Sequence, residues 1–438
     1  MLFRSNINIS PRIGFNWDVR GDRTTVVRGG TGVFVGRIPF AWLGYAFYND
    51  GVGFGSFDVN NIAGKNKGDV LADGAKTFAF NNGQANLVQT DLIANGFKMP
   101  KVMRSNIAID QTIQGYKFTI EGLYTQVLTD LMFQQINFKT DAANYSYFSY
   151  DVNKEMPIYN GVKINSNLSN AYALSNTDKG YRYSYTASVN KKYPFGVDLY
   201  AAYTYGVSKD ITNGIRNSME SNWQLNQSLT PNDPQLAYSN FDVRHRFVSN
   251  ISYKFNKTQI GLLFNSQSGV PFTWGLVNAT LAGTPQSAGL VYIFSDVNQA
   301  TTYLPVAGQA QAFMDFVNSD SYLSSRKGKF TERNGARTPW MTTVDMKLVQ
   351  FLGKNLQLTA DIFNLGNLLN SDWGKIYFVS NTFNSTSSVG LTKTAGAFSS
   401  AGVLTDAKFS FAKPTLAPYS VDMINSKWQI QIGIRYSF

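Results

Sequence analysis

Charged side chains alternate with apolar ones along several segments, which places them together on one face of each segment. Carboxylate and guanidinium groups on a shared face can pair across strands, or they can bind polar groups of a partner or ligand. The alternation predicts a common face, directed at the interior of a barrel, for Arg12, Arg28, Asp110, Glu121, Arg182, Asp198, Arg244, Arg246, Asp345, Lys347, Asp361 and Arg435. Both signs occur in similar number, which disfavours a pore for ions of one sign. Two interpretations remain: the charges contact a folded plug inside the barrel, or they pair with one another across strands.

Enzymatic chemistry has little support in this sequence. His245 is the only histidine and there is no cysteine, so a hydrolase triad or zinc site would depend on one residue. His245 is in phase with apolar Phe247, which predicts an interfacial side chain. The glycine-rich segment 28–36 lacks nucleotide-binding spacing, and its glycines predict close approach of backbones or barrel curvature. The acidic loops at 48–51 and 176–180 are interpreted as solvated, with calcium binding as an alternative. We predict no enzymatic activity and no cofactor.

The elements that carry these side chains are predicted to be long β-strands. In residues 6–19 the odd positions are mostly apolar and the even positions are mostly polar. This length exceeds the about 5–6 residues of a typical soluble strand and suits a tilted membrane-spanning strand. The pattern predicts about eleven strands, over the approximate spans 6–19, 24–36, 103–113, 118–131, 180–190, 197–207, 241–255, 258–268, 340–351, 356–366 and 427–438.

Short and long connections alternate between the predicted strands. This layout is typical of outer-membrane barrels, in which short turns are periplasmic and long loops are extracellular. Short connections lie near 20–23, 114–117, 191–196, 256–257 and 352–355, and long ones span about 37–102, 139–179, 208–240, 269–339 and 367–426. The aromatic loop segments 38–57 and 144–161 are predicted to grip a ligand or to pack on themselves.

Composition indicates an exported barrel. Aromatic residues reach 14% and charged residues only 15%, against about 25% charged residues in soluble proteins. The sequence contains no run of about 18 apolar residues, so no membrane-spanning helix is predicted. The net charge of +11 is interpreted as a basic loop surface, because no segment combines dense basic residues with stacking aromatics as nucleic-acid binders do. The segment MLFRSNINIS lacks the features of a signal peptide, so we expect the natural start to lie upstream of Met1.

Strand parity predicts that the barrel includes further strands. With eleven strands, the first and the last both run from the outside to the periplasm, so they cannot close an antiparallel barrel. Open strand edges cannot be satisfied in lipid. Eleven is half of the roughly 22 strands of plugged outer-membrane transporters.

Several segments, in order along the whole chain, resemble the C-terminal barrel of TonB-dependent receptors, in particular the Oar-like group of Bacteroidota that carries a carboxypeptidase-regulatory-like domain. These segments are PRIGFNWDVRGDRTTVVRGGTGVFVGRIPFAWL at 11–43, TPNDPQLAYSNFDVRHRF at 230–247, SGVPFTW at 268–274, ERNGARTPWMTTVDMKL at 332–348, LTADIFNLGNLLN at 358–370 and IGIRYSF at 432–438. The resemblance implies that residues 1–438 form the C-terminal part of such a barrel, and that Tyr436 and Phe438 belong to its terminal assembly signal.

The resemblance also implies partners for the complete protein. They are outer-membrane lipid, a plug domain and an N-terminal barrel half outside this chain, the TonB–ExbB–ExbD complex acting through the plug, and optionally a SusD-like lipoprotein. The expected function is active import of a scarce large ligand, such as a siderophore, an oligosaccharide or a peptide. The alternatives are a surface adhesion or structural protein anchored by the same barrel, and a passive porin or outer-membrane enzyme.

Aromatic side chains are predicted to form two belts on the apolar face, one at each membrane boundary. The belt at the periplasmic strand ends comprises Trp17, Tyr253, Phe255, Tyr436 and Phe438, and the opposite belt comprises Phe241, Trp340 and Trp428.

Overall fold

The computed structural model describes residues 8–50, 88–141, 144–148, 156–212, 214–277, 288–380, 385–398 and 404–438. Its largest element is a sheet in which eleven long strands follow one another in chain order, each antiparallel to the next. These strands, numbered β1 to β11, are Arg12–Asp18, Thr25–Val35, Lys101–Ile113, Tyr116–Gln135, Tyr181–Lys192, Val197–Asp210, His245–Phe255, Thr258–Gln267, Met341–Phe351, Leu356–Phe363 and Gln429–Tyr436.

The predicted number and order of long strands are confirmed, and the differences lie at strand ends. β4 continues to Gln135, beyond the predicted end at 131, because its last residues pair with the strand Leu168–Thr177. β7 begins at His245 rather than at 241, since a turn occupies the residues before it. β10 ends at Phe363 because Asn364 takes a left-handed backbone (φ 53°) and begins a helix. β1 begins at Arg12, whereas the prediction began at residue 6; residues 8–11 are not strand, and Pro11 has no N–H to donate to a neighbouring strand. Residues 6 and 7 fall outside the described residues.

The short connections lie where the sequence predicts them. Between β3 and β4, Gln114 and Gly115 both have positive φ, 49° and 76°, as in the mirror-type turns that match the twist of a hairpin. Between β5 and β6, Gly196 has a φ of +95°, and a Cβ there would lie 2.3 Å from the Lys254 carbonyl oxygen. Only glycine therefore lets this turn approach the end of β7 so closely.

The long connections contain regular structure. In the described part of the chain they carry the helices α1 to α6, which are Phe40–Tyr48, Met219–Gln224, Val297–Tyr303, Gln309–Ser319, Ser321–Ser325 and Leu365–Leu369. They also carry the short strands Val88–Ile93, Tyr145–Phe148, Met156–Tyr159, Leu168–Thr177, Ala237–Tyr238, Pro271–Val277, Ala288–Gly289, Tyr292–Ile293, Lys329–Phe330, Ala336–Arg337, Tyr377–Phe378, Thr386–Ser388, Leu391–Phe398, Leu404–Phe411 and Ser420–Val421. No helix among the described residues is long and apolar enough to span a membrane.

A first group of loops packs around the C-terminal part of β4, and we call this group the first lobe. Its core contains Trp42, Phe133, Tyr172, Leu174 and Trp223, each at most 3% exposed. The Trp42 ring meets Phe133 edge to face at 5.2 Å between centroids. The strands Val88–Ile93 and Leu168–Thr177 pair in parallel here, which the antiparallel prediction did not include.

The second lobe is formed by the loops that follow β8 and β10. Phe272, Trp274, Phe294, Phe313 and Phe411 belong to its buried core. The Phe313 ring contacts Phe411 and Phe294 edge to face, at 5.3 and 5.5 Å between centroids. Burial of these rings stabilises the lobe by the hydrophobic effect. These loops therefore form a packed structure with a defined surface.

Candidate functional site

Strand register places the predicted charged side chains on one face of the sheet, which we call the polar face. Arg28 of β2 lies opposite Ala108 of β3, and Ala108 lies opposite Glu121 of β4. Farther along, Lys347 of β9 lies opposite Asp361 of β10. Alternation along each strand then gives the same face to Arg12, Asp110, Arg182, Asp198, Arg246, Asp345 and Arg435.

An ion-pair network lies on the polar face of β2, β3 and β4, towards their short-turn ends. Arg28 Nε is 3.4 Å from an Asp110 oxygen, and Arg28 Nη2 is 3.7 Å from Glu121. Lys117 Nζ is 3.3 Å from the same Asp110 oxygen, and Thr119 donates a hydrogen bond of 2.6 Å to the other. The charges of this network, the inner network, therefore satisfy one another. Lys117 was not among the predicted site residues.

Three more predicted carboxylates have local partners. Lys347 Nζ is 3.2 Å from Asp361, and Lys192 Nζ is 4.0 Å from Asp198. Asp345 does not pair with Lys347; it accepts a hydrogen bond of 2.7 Å from the backbone N–H of Asn364 and so helps to hold the end of β10.

Four arginines of the polar face near the long-loop ends of the strands differ, because among the described residues Arg12, Arg104, Arg182 and Arg246 have no carboxylate within ion-pair distance. Arg182 Nε donates to the Ser208 hydroxyl at 3.3 Å, and Arg246 Nε donates to the Asn265 side-chain carbonyl at 3.1 Å. Arg12 lies over the Phe34 ring at 4.5 Å. A further arginine on this face, Arg104 of β3, was not among the predicted residues, although it lies within the predicted strand 103–113 and is in phase with Asp110.

Arg244 belongs to a buried cluster at the start of β7, which we call the rim cluster. Asp242, whose side chain is fully buried, accepts from Arg244 at 3.3 Å and from Arg337. It also accepts from the Ser208 backbone N–H at 2.5 Å. Arg244 stacks over Tyr238 at 4.6 Å. The cluster ties the end of β6 and the connection between β6 and β7 to the connection after β8.

One buried carboxyl, Asp91, and one partly buried carboxyl, Glu220, lie in the first lobe, outside the long sheet. Asp91 is 1% exposed and accepts from Asn49 Nδ2 at 3.0 Å and from Gln89 Nε2 at 2.8 Å. Burial raises the pKa of Asp91 above its usual range. Burial and the nearby Asp91 charge likewise raise the pKa of Glu220. Among the described residues, no group of three acidic or histidine side chains could hold a metal ion.

The opposite face of the sheet is apolar and exposed. Ile432, in the middle of β11, is 71% exposed, and Ile120, the fifth residue of β4, is 67% exposed. At the strand ends, the residues of the two predicted aromatic belts are likewise exposed. His245 is on this face, where it stacks on Trp340 at 5.9 Å and its Nδ1 lies 2.7 Å from the Tyr203 hydroxyl. An exposed apolar band on this scale requires a nonpolar environment.

The comparison with known families accounts for this surface. The sequence matches the outer membrane beta barrel domain family over residues 3–400. The chain belongs to this family. As in outer-membrane β-barrels generally, its apolar face contacts lipid, its short turns are periplasmic and its long loops are extracellular. The protein is therefore located in the outer membrane. No curated protein matches the sequence.

Three solved outer-membrane proteins are similar to this chain at low identity. The outer membrane transporter YddB from Escherichia coli is 13% identical, with a TM-score of 0.45, over 99% of this chain and 41% of that one. The siderophore receptor PirA from Acinetobacter baumannii is 10% identical, with a TM-score of 0.42, over 98% of this chain and 41% of that one. The ferric enterobactin receptor PfeA from Pseudomonas aeruginosa is 9% identical, with a TM-score of 0.40, over 82% and 35%. This chain thus spans about two fifths of the length of these proteins.

Proposed function

We propose that this outer-membrane β-barrel chain forms the C-terminal part of a TonB-dependent transporter of the Oar-like group, which imports a scarce large ligand. The observation that carries the proposal is the state of the two outermost strands. Among the described residues, β1 pairs only with β2, and β11 pairs only with β10. Each outermost strand thus has one edge without a partner.

The two free edges point to a larger barrel. β1 ends at a short turn and β11 is the eleventh of an alternating series, so both run towards the periplasm and cannot pair antiparallel with each other. Unpaired backbone groups are not tolerated in lipid, so further strands complete the barrel. Doubling the set gives about 22 strands, the size of plugged transporters.

The polar face would then line the lumen. The inner network suits contact with a plug domain, because its paired charges can exchange partners without leaving a bare charge. The two lobes would form the outer ligand-binding surface, and a SusD-like lipoprotein could cover them. Energy would come from TonB–ExbB–ExbD through the plug.

The test is uptake by cells that express the complete protein, with and without TonB. Labelled siderophores, oligosaccharides and peptides would be offered as separate pools. We expect one pool to accumulate in the periplasm only when TonB is present, with surface binding alone in its absence. Accumulation that does not depend on TonB would contradict the proposal and favour a passive pore.

An adhesion role is the second candidate, and the second lobe favours it. This lobe buries a continuous core that includes Trp274, Phe294 and Phe313, each at most 3% exposed, which is more structure than a pore entrance requires. Attachment of cells to a surface or to other cells, lost on deletion of the protein and unaffected by removal of TonB, would support this alternative.

A further inference from the structure

Three arginines of the polar face lie on a single row of paired residues across the sheet. Arg12 of β1 is opposite Gly32, and Gly32 is opposite Arg104 of β3. Arg104 is opposite Thr125, and Thr125 is opposite Arg182 of β5. The arginines therefore occupy alternate strands at one level, about 10 Å apart given the strand spacing. We call this set the arginine row.

Each arginine of the row contacts an uncharged side chain. Arg104 Nε donates to the Thr125 hydroxyl at 3.3 Å, and Arg182 Nε donates to the Ser208 hydroxyl at 3.3 Å. Arg12 and Arg104 both lie over the Phe34 ring, at 4.5 and 5.9 Å. These contacts hold the guanidinium groups in place without neutralising their charge.

Gly32 makes room for the first arginine of the row. A Cβ at this position would lie 2.8 Å from Arg12 Cγ, so the Arg12 side chain lies over the strand where a larger residue would stand. All three arginine side chains are exposed on the polar face.

The row contrasts with the cations nearer the short turns. Arg28, Lys117, Lys192 and Lys347 each have a carboxylate within 4.0 Å. No described carboxylate is within ion-pair distance of the arginine row. For Arg104 and Arg182 this is not an effect of a free edge, because β3 and β5 each have long-strand neighbours on both sides. Among the described residues the arginine row thus keeps its positive charge unpaired, unlike these four cations and unlike Arg244, which is paired with Asp242 in the rim cluster.

We propose that the arginine row is a binding site for an anionic ligand that carries two or more carboxylate or phosphate groups. Planar guanidinium groups bind both kinds of group through paired N–H donors. Among the described residues, Arg104 and Arg182 donate side-chain hydrogen bonds only through Nε, so their terminal amino groups remain available. As the ligand site of an importer, the row rests on the proposed transport function, and it narrows the ligand to polyanions.

The experiment measures anion binding by the complete protein purified from outer membranes in detergent, independently of TonB. Citrate and inorganic pyrophosphate are the probes, and sorbitol is the neutral control. The variant is Arg104→Gln with Arg182→Gln. The matched control is Arg435→Gln. It removes an exposed arginine of the polar face near the C-terminal, periplasmic end of β11, whereas the arginine row lies near the long-loop ends of its strands.

We expect the double variant to weaken anion binding at least tenfold and Arg435→Gln to change it less than twofold. Replacement of the same two arginines by lysine should restore part of the affinity. All variants should retain the heat-modifiable folded band. Anion affinity unchanged within twofold in the double variant would overturn the proposal. If protease sensitivity of a plug rises while anion affinity stays constant, the row is a contact for plug carboxylates and the proposal is also wrong. TonB-independent uptake with intact anion binding would refute only the proposed transport.

Discussion

At the scale of single residues, the face on which a side chain lies determines which substitutions are tolerated. Ile432 is 71% exposed on the lipid face, whereas the adjacent Gln431 lies opposite Asp361 on the polar face. An arginine in the middle of the lipid face costs about 2–4 kcal/mol. We expect Ile432→Arg to reduce the heat-modifiable folded form strongly and Gln431→Arg to leave it nearly unchanged. Equal loss in both variants would contradict the assignment of faces.

Much of the polar face could be predicted from single strands, but its ion pairs could not. Alternation reveals which face a residue such as Asp110 occupies. Its partner Arg28 is 82 positions away, and their meeting depends on register between β2 and β3, which no local pattern encodes. For the same reason, the sequence suggested a wall of mixed charge, whereas register separates the arginine row from the inner network.

At the scale of elements, the glycines of β2 are needed for close packing of neighbouring strands. A Cβ at Gly29 would lie 2.8 Å from the backbone oxygen of Asn106 and 2.9 Å from the Phe15 ring. We expect Gly29→Ala to destabilise the barrel by about 1–3 kcal/mol through overpacking. The urea concentration that abolishes the folded band measures the effect. Gly353→Ala is the control, because nothing lies within 4 Å of a Cβ there; a similar shift in both variants would argue against strand packing as the cause.

The first lobe should be more stable in mild acid than at neutral pH. Burial raises the pKa values of Asp91 and Glu220 above the ordinary values of 3.8 and 4.5. The folded lobe therefore binds protons more tightly than the unfolded chain, and its stability falls as pH rises from the unfolded pKa through the raised folded pKa. We expect higher hydrogen-exchange protection factors for residues 88–93 and 219–224 at pH 5 than at pH 7. Glu220→Gln should reduce this difference; an unchanged or inverted difference would count against the burial of these carboxyls as its cause.

The loops show where sequence patterns stop being informative. The strand spans came from a period of two, but helices such as α4 and the parallel pairing of Thr386–Ser388 lie within connections that carry no such period. These segments are shaped by long-range burial. Phe313 and Phe411, for example, become core partners only after β9 and β10 have placed their loops side by side.

At the scale of the whole molecule, the rim cluster joins the end of β6, the start of β7 and the connection after β8. Removing one partner of a buried ion pair costs about 3–5 kcal/mol, since the remaining charges stay buried. We expect Asp242→Asn to expose the loops at 208–240 and 269–339 to protease on intact cells while the barrel stays folded.

Asp315→Asn is the control for this prediction, because Asp315 is exposed and, within the described part of the chain, its carboxylate accepts only from Gln311 of the same helix. Loop cleavage at the same rate in both variants and in the unmodified protein would show that the rim cluster does not hold the loops.

The parallel pairing of Val88–Ile93 with Leu168–Thr177 has a consequence for biogenesis. The earlier segment cannot pair until β3, β4 and the later segment have all been placed, because these lie between the two in the chain. Its contacts are therefore of high sequence separation, and such contacts form slowly. The first lobe must assemble on the cell surface after the underlying hairpin is in the membrane, so the exposed side of this protein is completed last.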